Sequence, residues 1–245
     1  MKKKKLDLLI DIAVVCVILA IGAYLALRSV SGFLKSREYF KIKYVKCNDA
    51  SIDLNYLRGE NIFFLDLKEE IRNLRAAYPE YQSIKITKYM PSAILVQCEK
   101  RKAVASVRLY RYFLVGEDAV LFNGDTQGID AGLPVIVGLE TKIFGPRPGI
   151  RYNIKELNLA LDVIREVNSI PALQNCKISR IDASKAENLF FYIFNNIEIR
   201  IGEADIAGKI KLLPSVLLHV GENLIKLKYI DLRFKEPVIK YRNEA

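Results

Sequence analysis

The side chains of this chain that are best suited to catalysis are few and scattered. The only histidine, His219, follows leucines and valines at helical spacing, where a lone histidine more often packs or caps a helix than acts as a base. Gly124–Gly128 (GDTQG) lacks the Lys-Ser/Thr pair of a phosphate-binding loop and is typical of a turn. The adjacent acids Glu69 and Glu70 fall on a helix surface. We therefore expect no catalytic residue, no cofactor and no metal site.

The four cysteines, Cys16, Cys47, Cys98 and Cys176, are too far apart to form a C-x-x-C pair, which excludes the common zinc and redox motifs. A disulfide between Cys47 and Cys98 is conceivable in an oxidising compartment. Both residues lie in apolar, strand-like surroundings, which favours buried free thiols. The two interpretations stay open at this point.

One apolar stretch stands apart from the rest of the chain. From Leu8 to Leu27 only Asp11 carries a charge, and a helix of about 20 residues crosses a hydrocarbon core of about 30 Å. The stretch predicts a transmembrane helix over residues 7–28, after a tail of residues 1–6. A cleaved signal peptide with small residues at 29–31 is the alternative, but its apolar region is usually only about 7–15 residues long.

The formal charge of +10 is spread over the chain and mixed with acidic residues. This pattern does not resemble a nucleic-acid-binding surface, and we expect no nucleic-acid partner. Lysines at positions 2–5 precede the apolar stretch and further basic residues follow it up to Lys46, so the positive-inside rule alone does not orient the helix. Attraction of residues 35–46 to lipid headgroups is the functional alternative to plain surface charge.

After a linker at residues 29–39, residues 40–103 predict a small α/β module. Alternating apolar residues predict strands at 40–47, 82–89 and 93–99. Helices are predicted at 51–58 and from Asp66 to position 78, where Asp66 and Glu69 form a capping-box arrangement. The order is strand, helix, helix, strand, strand, which makes a three-stranded sheet covered by two helices.

Residues 104–245 predict a strand-rich domain with two helices, so the fold class is α+β. The helices are predicted at 154–168, from its apolar periodicity, and at 205–220, after the N-capping Asp205. Asn195-Asn196 is typical of a hairpin turn. Strands are predicted at 102–107, 110–115, 119–122, 135–137, 177–182, 189–194, 197–201, 228–234 and 238–241.

The order of these segments and several short motifs resemble the FtsQ/DivIB family of bacterial cell-division proteins, and residues 40–103 resemble a POTRA domain. The resemblance covers nearly the whole chain and is specific through the order of its parts. The motifs are Gly59–Phe63 (GENIF), Pro79, Ser83–Lys88, Pro91, Glu99–Ala105 (EKRKAVA), Leu133–Gly138 (LPVIVG), Ile181-Asp182, Ile199–Gly202 and Tyr229–Phe234 (YIDLRF).

The resemblance implies a cytoplasmic N-terminus, one helix in the inner membrane and an extracytoplasmic body at the division septum. It further implies a non-catalytic divisome scaffold that binds FtsB/DivIC-like and FtsL-like bitopic coiled-coil proteins, together with other divisome proteins, and helps control septal peptidoglycan synthesis. The alternative is a membrane-anchored extracytoplasmic enzyme acting on the cell wall, which would need two carboxylates across a cleft.

Family members contact partners through the last strands, and an exposed edge strand is a template for an added strand. We expect both 229–234 and 238–241 to be such edges, because nothing follows to cover them. Arg233 is expected to pair with a partner carboxylate, and Phe234 to be either an apolar anchor or a core aromatic. The resemblance also suggests a second docking edge at Ser83–Lys88. The candidate partner-binding residues are Tyr229, Arg233, Phe234, Ile239, Tyr241, Ser83, Ile86 and Lys88.

Overall fold

The computed structural model describes residues 16–29, 38–123, 132–194 and 197–242. Residues 16–29 form helix α1. The predicted tail at 1–6, the first part of the predicted span (7–15), most of the linker and the predicted turns at 124–128 and 195–196 lie outside the described residues. Among the helices that are described, none combines the length and the apolar character needed to cross a membrane.

By its contacts the chain divides into two compact units. One comprises Met1–Arg75 and Ser83–Glu99, and the other comprises Ala76–Gln82 and Lys100–Ala245. The predicted domain boundaries at 103/104 and earlier in the chain stay predictions.

The described residues form two sheets. The smaller has three strands, β1 (Tyr44–Cys47), β2 (Tyr81–Tyr89) and β3 (Ala93–Lys100), in the order β1-β3-β2. β1 runs parallel to β3. Helix α2 (Leu67–Ala77) lies between β1 and β2 in the chain. The predicted three-stranded sheet is therefore present.

Local hydrogen bonds decide where the helices of this region form. Asp66 Oδ1 accepts the N–H groups of Lys68 and Glu69 at 2.9 and 3.2 Å, so the predicted N-cap of α2 is confirmed. The helix predicted at 51–58 is wrong in extent, because only a 3-10 turn at Asn55–Leu57 forms. Asp53 Oδ1 accepts the Asn55 N–H at 3.0 Å, a local bond that competes with a longer helix.

In the part of the chain that the structure describes, the larger sheet has nine strands in the order β12-β11-β10-β9-β8-β7-β4-β5-β6. The pairs β4–β7, β7–β8 and β10–β11 are parallel and the others antiparallel. The strands are β4 (Ala105–Arg108), β5 (Tyr112–Val115), β6 (Leu121–Phe122), β7 (Val135–Val137), β8 (Ile178–Asp182), β9 (Phe190–Ile193), β10 (Ile197–Arg200), β11 (Leu227–Asp231) and β12 (Val238–Tyr241).

Helices α3 (Lys155–Ser169) and α4 (Ile206–Val220) pack against each other, and their buried residues join those of the strands in one apolar core. Along β9 and β10, buried residues alternate with half-exposed ones, as expected when one face of the sheet meets the core. Asp205 caps α4 by accepting the Gly208 N–H at 3.1 Å. The prediction of a mixed α+β chain with a strand-rich region is confirmed.

Candidate partner-binding edge

The two outer strands of the nine-stranded sheet, β6 and β12, differ in how they are covered. The Leu121 N–H of β6 donates to the Ile150 carbonyl at 3.1 Å, and the Gly149 N–H donates to the Leu121 carbonyl at 2.7 Å. A loop therefore occupies the outer side of β6. In the described part of the chain, β12 pairs with β11 and with no other strand. The outer side of β12 is thus the open edge of this sheet.

The expectation that both final strands are edges is wrong for β11. β11 lies between β10, with which it is parallel, and β12. It also ends at Asp231 rather than at Phe234. The reason is local, because Asp231 Oδ1 accepts the Arg233 N–H at 3.0 Å and this bond turns the backbone out of the strand. Only β12 keeps the predicted edge position.

Arg233 has a carboxylate partner within its own chain. Its guanidinium Nη2 lies 2.7 Å from Asp231 Oδ2, and Nη1 donates to Asn188 Oδ1. Asp231 is only 3% exposed. Burial acts to raise the pKa of the Asp231 carboxyl, but the hydrogen bonds from Arg233 hold that pKa below its ordinary value. The first role of Arg233 is therefore to neutralise Asp231, and its contact with a partner stays a prediction.

Three of the candidate residues lie on or near the open edge, namely Phe234, Ile239 and Tyr241. Phe234 lies in the connection between β11 and β12 and is 61% exposed, so it is not a core aromatic. Ile239 is half-buried and packs against the core. Tyr241 is 42% exposed. Phe234 and Tyr241 are therefore available for contact with a partner.

Tyr229 belongs to the half-exposed face of the sheet rather than to its edge. The Arg200 guanidinium lies 4.1 Å from the centre of the Tyr229 ring. Arg200 Nε in turn donates to Glu198 at 2.6 Å, and the Tyr192 hydroxyl lies 3.2 Å from the same carboxylate. This row of alternating rings and charges crosses β9, β10 and β11 and holds Tyr229 in place on the half-exposed face. The contact of Tyr229 with a partner stays a prediction.

Two recesses beside β12 were missed by the sequence reasoning. An apolar cavity of about 410 Å³ is lined by Phe194, Ile197, Leu224, Ile225 and Arg242. A more polar recess of about 300 Å³ is lined by Lys228, Lys240, Tyr241 and Arg242. Ile225, which lines the apolar cavity, is 87% exposed. In the sequence it is one isoleucine among many, and no pattern of residues there indicates a cavity.

The second predicted docking strand, β2, is an edge of the three-stranded sheet. Ser83 is exposed, as a partner contact requires. Ile86 is only 6% exposed, so its side chain faces the core rather than the surface, and its contact with a partner stays a prediction. Lys88 is half-buried, and its Nζ donates to the Leu65 carbonyl at 2.9 Å. Of these three residues, Ser83 is the one whose side chain is exposed to solvent.

The remaining residues singled out in the sequence are the cysteines and His219. All four cysteines are free thiols. Burial, together with the neighbouring Cys47 thiol and Asp49, raises the pKa of Cys98 to about 12. His219 is exposed near the end of α4. Within the described ranges, no group of three or more His, Cys, Asp or Glu side chains could hold a metal ion.

The comparisons with known proteins identify the family. The family model described as "Cell division protein FtsQ/DivIB, C-terminal" matches residues 103–233. The chain belongs to the FtsQ/DivIB family of cell-division proteins. It is also 20% identical, over 230 residues, to the cell division protein FtsQ of Syntrophotalea carbinolica, and the match covers 90% of this chain and 80% of that protein.

Proposed function

We propose that this protein is a non-catalytic divisome scaffold whose β12 edge binds an extended segment of a partner. The partners would be FtsB/DivIC-like and FtsL-like bitopic coiled-coil proteins. One observation carries the proposal: of the two outer strands of the large sheet, β6 is covered by the 149–151 loop, whereas the outer side of β12 is open in the described chain. An open strand offers its backbone N–H and C=O groups to an added strand.

The side chains around β12 indicate what kind of segment would be added. Lys240 is exposed, and Lys228 and Arg242 line the same recess. Three cationic side chains favour a partner segment with acidic residues. The adjoining apolar cavity, bordered by Phe194 and Ile225, is large enough to take an apolar side chain of that segment.

The membrane anchor is part of the same proposal. Residues 7–28 carry the apolar stretch, and the described helix at 16–29 forms its second half. We infer a single pass with the N-terminus in the cytoplasm and the body outside, where a POTRA-like region at residues 40–103 precedes the partner-binding sheet. Membership of a cell-division family supports this arrangement.

The test compares two lysine reversals in the full-length protein, inserted in nanodiscs and titrated with a co-expressed FtsB-like and FtsL-like complex. Lys240→Glu places a negative charge at the open edge, and we expect about a tenfold weaker Kd, which is about 1.4 kcal/mol. The matched control, Lys211→Glu, changes an exposed lysine on helix α4, away from both candidate edges, and should leave the Kd unchanged.

A third variant, Phe234→Ala, removes the exposed aromatic beside the edge and should also weaken binding. Unchanged affinity in both Lys240→Glu and Phe234→Ala would rule out β12 as the binding edge. Equal weakening by Lys211→Glu would show that net charge, and not a defined edge, governs the interaction.

A further inference from the structure

Large apolar side chains are exposed on three short segments at one end of the three-stranded sheet. They are between 40% and 69% exposed. We call them the aromatic rim, and its members are Tyr39, Tyr44, Phe63, Phe64, Tyr89 and Met90. In a water-exposed surface so many large apolar side chains at one end would be unfavourable, so the rim marks an interaction surface.

Backbone hydrogen bonds hold these three segments together. The Ile62 N–H donates to the Phe40 carbonyl at 3.0 Å, and the Lys43 N–H donates to the Ser92 carbonyl at 2.8 Å. The 38–44 segment is therefore fixed to the 60–64 loop and to the turn before β3. The Phe40 and Phe63 rings meet edge to face with centres 4.9 Å apart. The rim is thus a pre-formed surface.

The side chains of the rim match the chemistry of a bilayer interface. Tyrosine rings favour the headgroup region, where the ring is partly desolvated and the hydroxyl stays hydrated. Phenylalanine and methionine favour the adjacent acyl chains, and lysine places its ammonium among the phosphates. Lys41 and Lys43 are exposed on the 38–44 segment that carries Tyr39 and Tyr44.

The position of the rim in the chain restricts what can cover it. Its first residue, Tyr39, follows the helix at 16–29 with only residues 30–38 between them. Even a fully extended connection of that length reaches only about 30 Å. If the helix is the second half of a transmembrane span, the rim cannot leave the neighbourhood of the membrane surface.

We propose that the aromatic rim inserts into the headgroup region of the outer surface of the membrane and so fixes the orientation of the first unit at the bilayer. This inference rests on the proposed membrane anchoring, and its partner is the lipid surface. A second copy of the chain or another protein covering the rim would contradict it.

The chain contains no tryptophan, so a single introduced tryptophan reports on one position. The full-length variants Phe63→Trp and Phe64→Trp are reconstituted in vesicles of phosphatidylcholine and phosphatidylglycerol. Phe144→Trp, at a position 81% exposed in the second unit, is the control. We expect blue-shifted emission from either rim tryptophan and a loss of about half of its fluorescence when the phosphatidylcholine has brominated acyl chains, with little change in the control.

Each other outcome has a defined meaning. The proposal would be overturned if the rim tryptophans emitted at the wavelength of a water-exposed tryptophan and if iodide, a water-soluble quencher, reduced their fluorescence as much as that of the control. If the blue shift of the rim tryptophans disappeared when the protein was diluted in lipid, the rim would be assigned to contact between copies of the chain. That result would also overturn the proposal. Flotation with the vesicles reports anchoring separately, so a protein that floats without quenching refutes the rim and leaves the proposed anchor intact.

Discussion

β2 and β12 are both edge strands, but different forces hold them in place. β2 (Tyr81–Tyr89) buries Ile84 and Ile86, so its position is determined by the core. β12 (Val238–Tyr241) has no buried residue, and only Ile239 packs against the core. Pairing with β11 therefore carries most of the stability of β12.

The contrast explains why an edge position alone does not make a binding surface. A side chain that serves the core, such as Ile86, is not exposed at the surface. β12 combines an open backbone edge with exposed Val238, Lys240 and Tyr241. The side chains of a strand that contributes little to the core are exposed and can contact a partner. Such a strand is also less stable, because few buried side chains hold it in place.

The largest expected effect is on stability, when a buried isoleucine of β2 and a half-buried isoleucine of β12 are each truncated. Ile86→Ala should lower the free energy of unfolding by about 3 kcal/mol, because it leaves a cavity in the core. Ile239→Ala should cost about 1 kcal/mol, since that side chain is half-buried. Urea denaturation of the detergent-solubilised full chain, followed by circular dichroism, measures both. Equal losses would mean that β12 is held by the core as firmly as β2.

The next effect concerns the ion pair that ends β11. Arg233→Ala leaves the buried Asp231 carboxylate without its cation and should cost about 2 kcal/mol at pH 7. Because Arg233 holds the folded-state pKa of Asp231 below the ordinary value of 3.8, the pair stabilises the fold above that pH and its contribution is lost as the pH falls through the lowered pKa.

The difference between the wild-type protein and Arg233→Ala should accordingly shrink as the pH falls below about 4. Urea titrations at a series of pH values measure it. The matched control is Arg147→Ala, which removes an exposed arginine elsewhere in the second unit and should be near neutral at every pH. A difference for Arg233→Ala that is independent of pH would show that the arginine acts by packing rather than by charge.

The smallest effect tests β1, the other edge of the small sheet. Asn48 follows β1, and its side chain accepts the Cys98 N–H and donates to the Cys98 carbonyl, each at 2.7 Å. Asn48→Ala should cost about 1 kcal/mol, since Asn48 itself is exposed and water can replace part of the loss. Amide hydrogen exchange at Cys98 should accelerate in the variant. An unchanged exchange rate would mean that this side chain is not what protects β3.

Much of the element order could be predicted because it depends on local sequence. The alternation of apolar residues predicts β12 over 238–241 with the observed bounds, and Asp66 and Asp205 predict the starts of α2 and α4. The error at 51–58 arose because the competing Asp53–Asn55 bond depends on side-chain geometry and not on periodicity. The predicted end of the penultimate strand was late for a similar reason, at Asp231.

The candidate site was predicted less well, because edges are properties of a sheet. The residues of β11 and β12 do not indicate which of the two strands lies outermost. β11 lies inside the sheet because it pairs in parallel with β10, which is distant from it in the sequence. Nor does the sequence reveal that residues 149–151 cover β6, which makes β12 the open edge. The cavity beside Phe194 likewise needs the 3-10 turn at Gly221–Lys226 in place.

By itself the sequence determined the apolar N-terminal stretch, the mixed α+β composition, the caps of two helices and the resemblance to a cell-division family. These depend on hydropathy, periodicity and bonds between near neighbours in the chain. The tertiary structure decided which strand is open, that Arg233 neutralises Asp231, and that Ile86 is buried. These depend on pairing and burial between residues far apart in the chain, and no local pattern encodes which partners they meet.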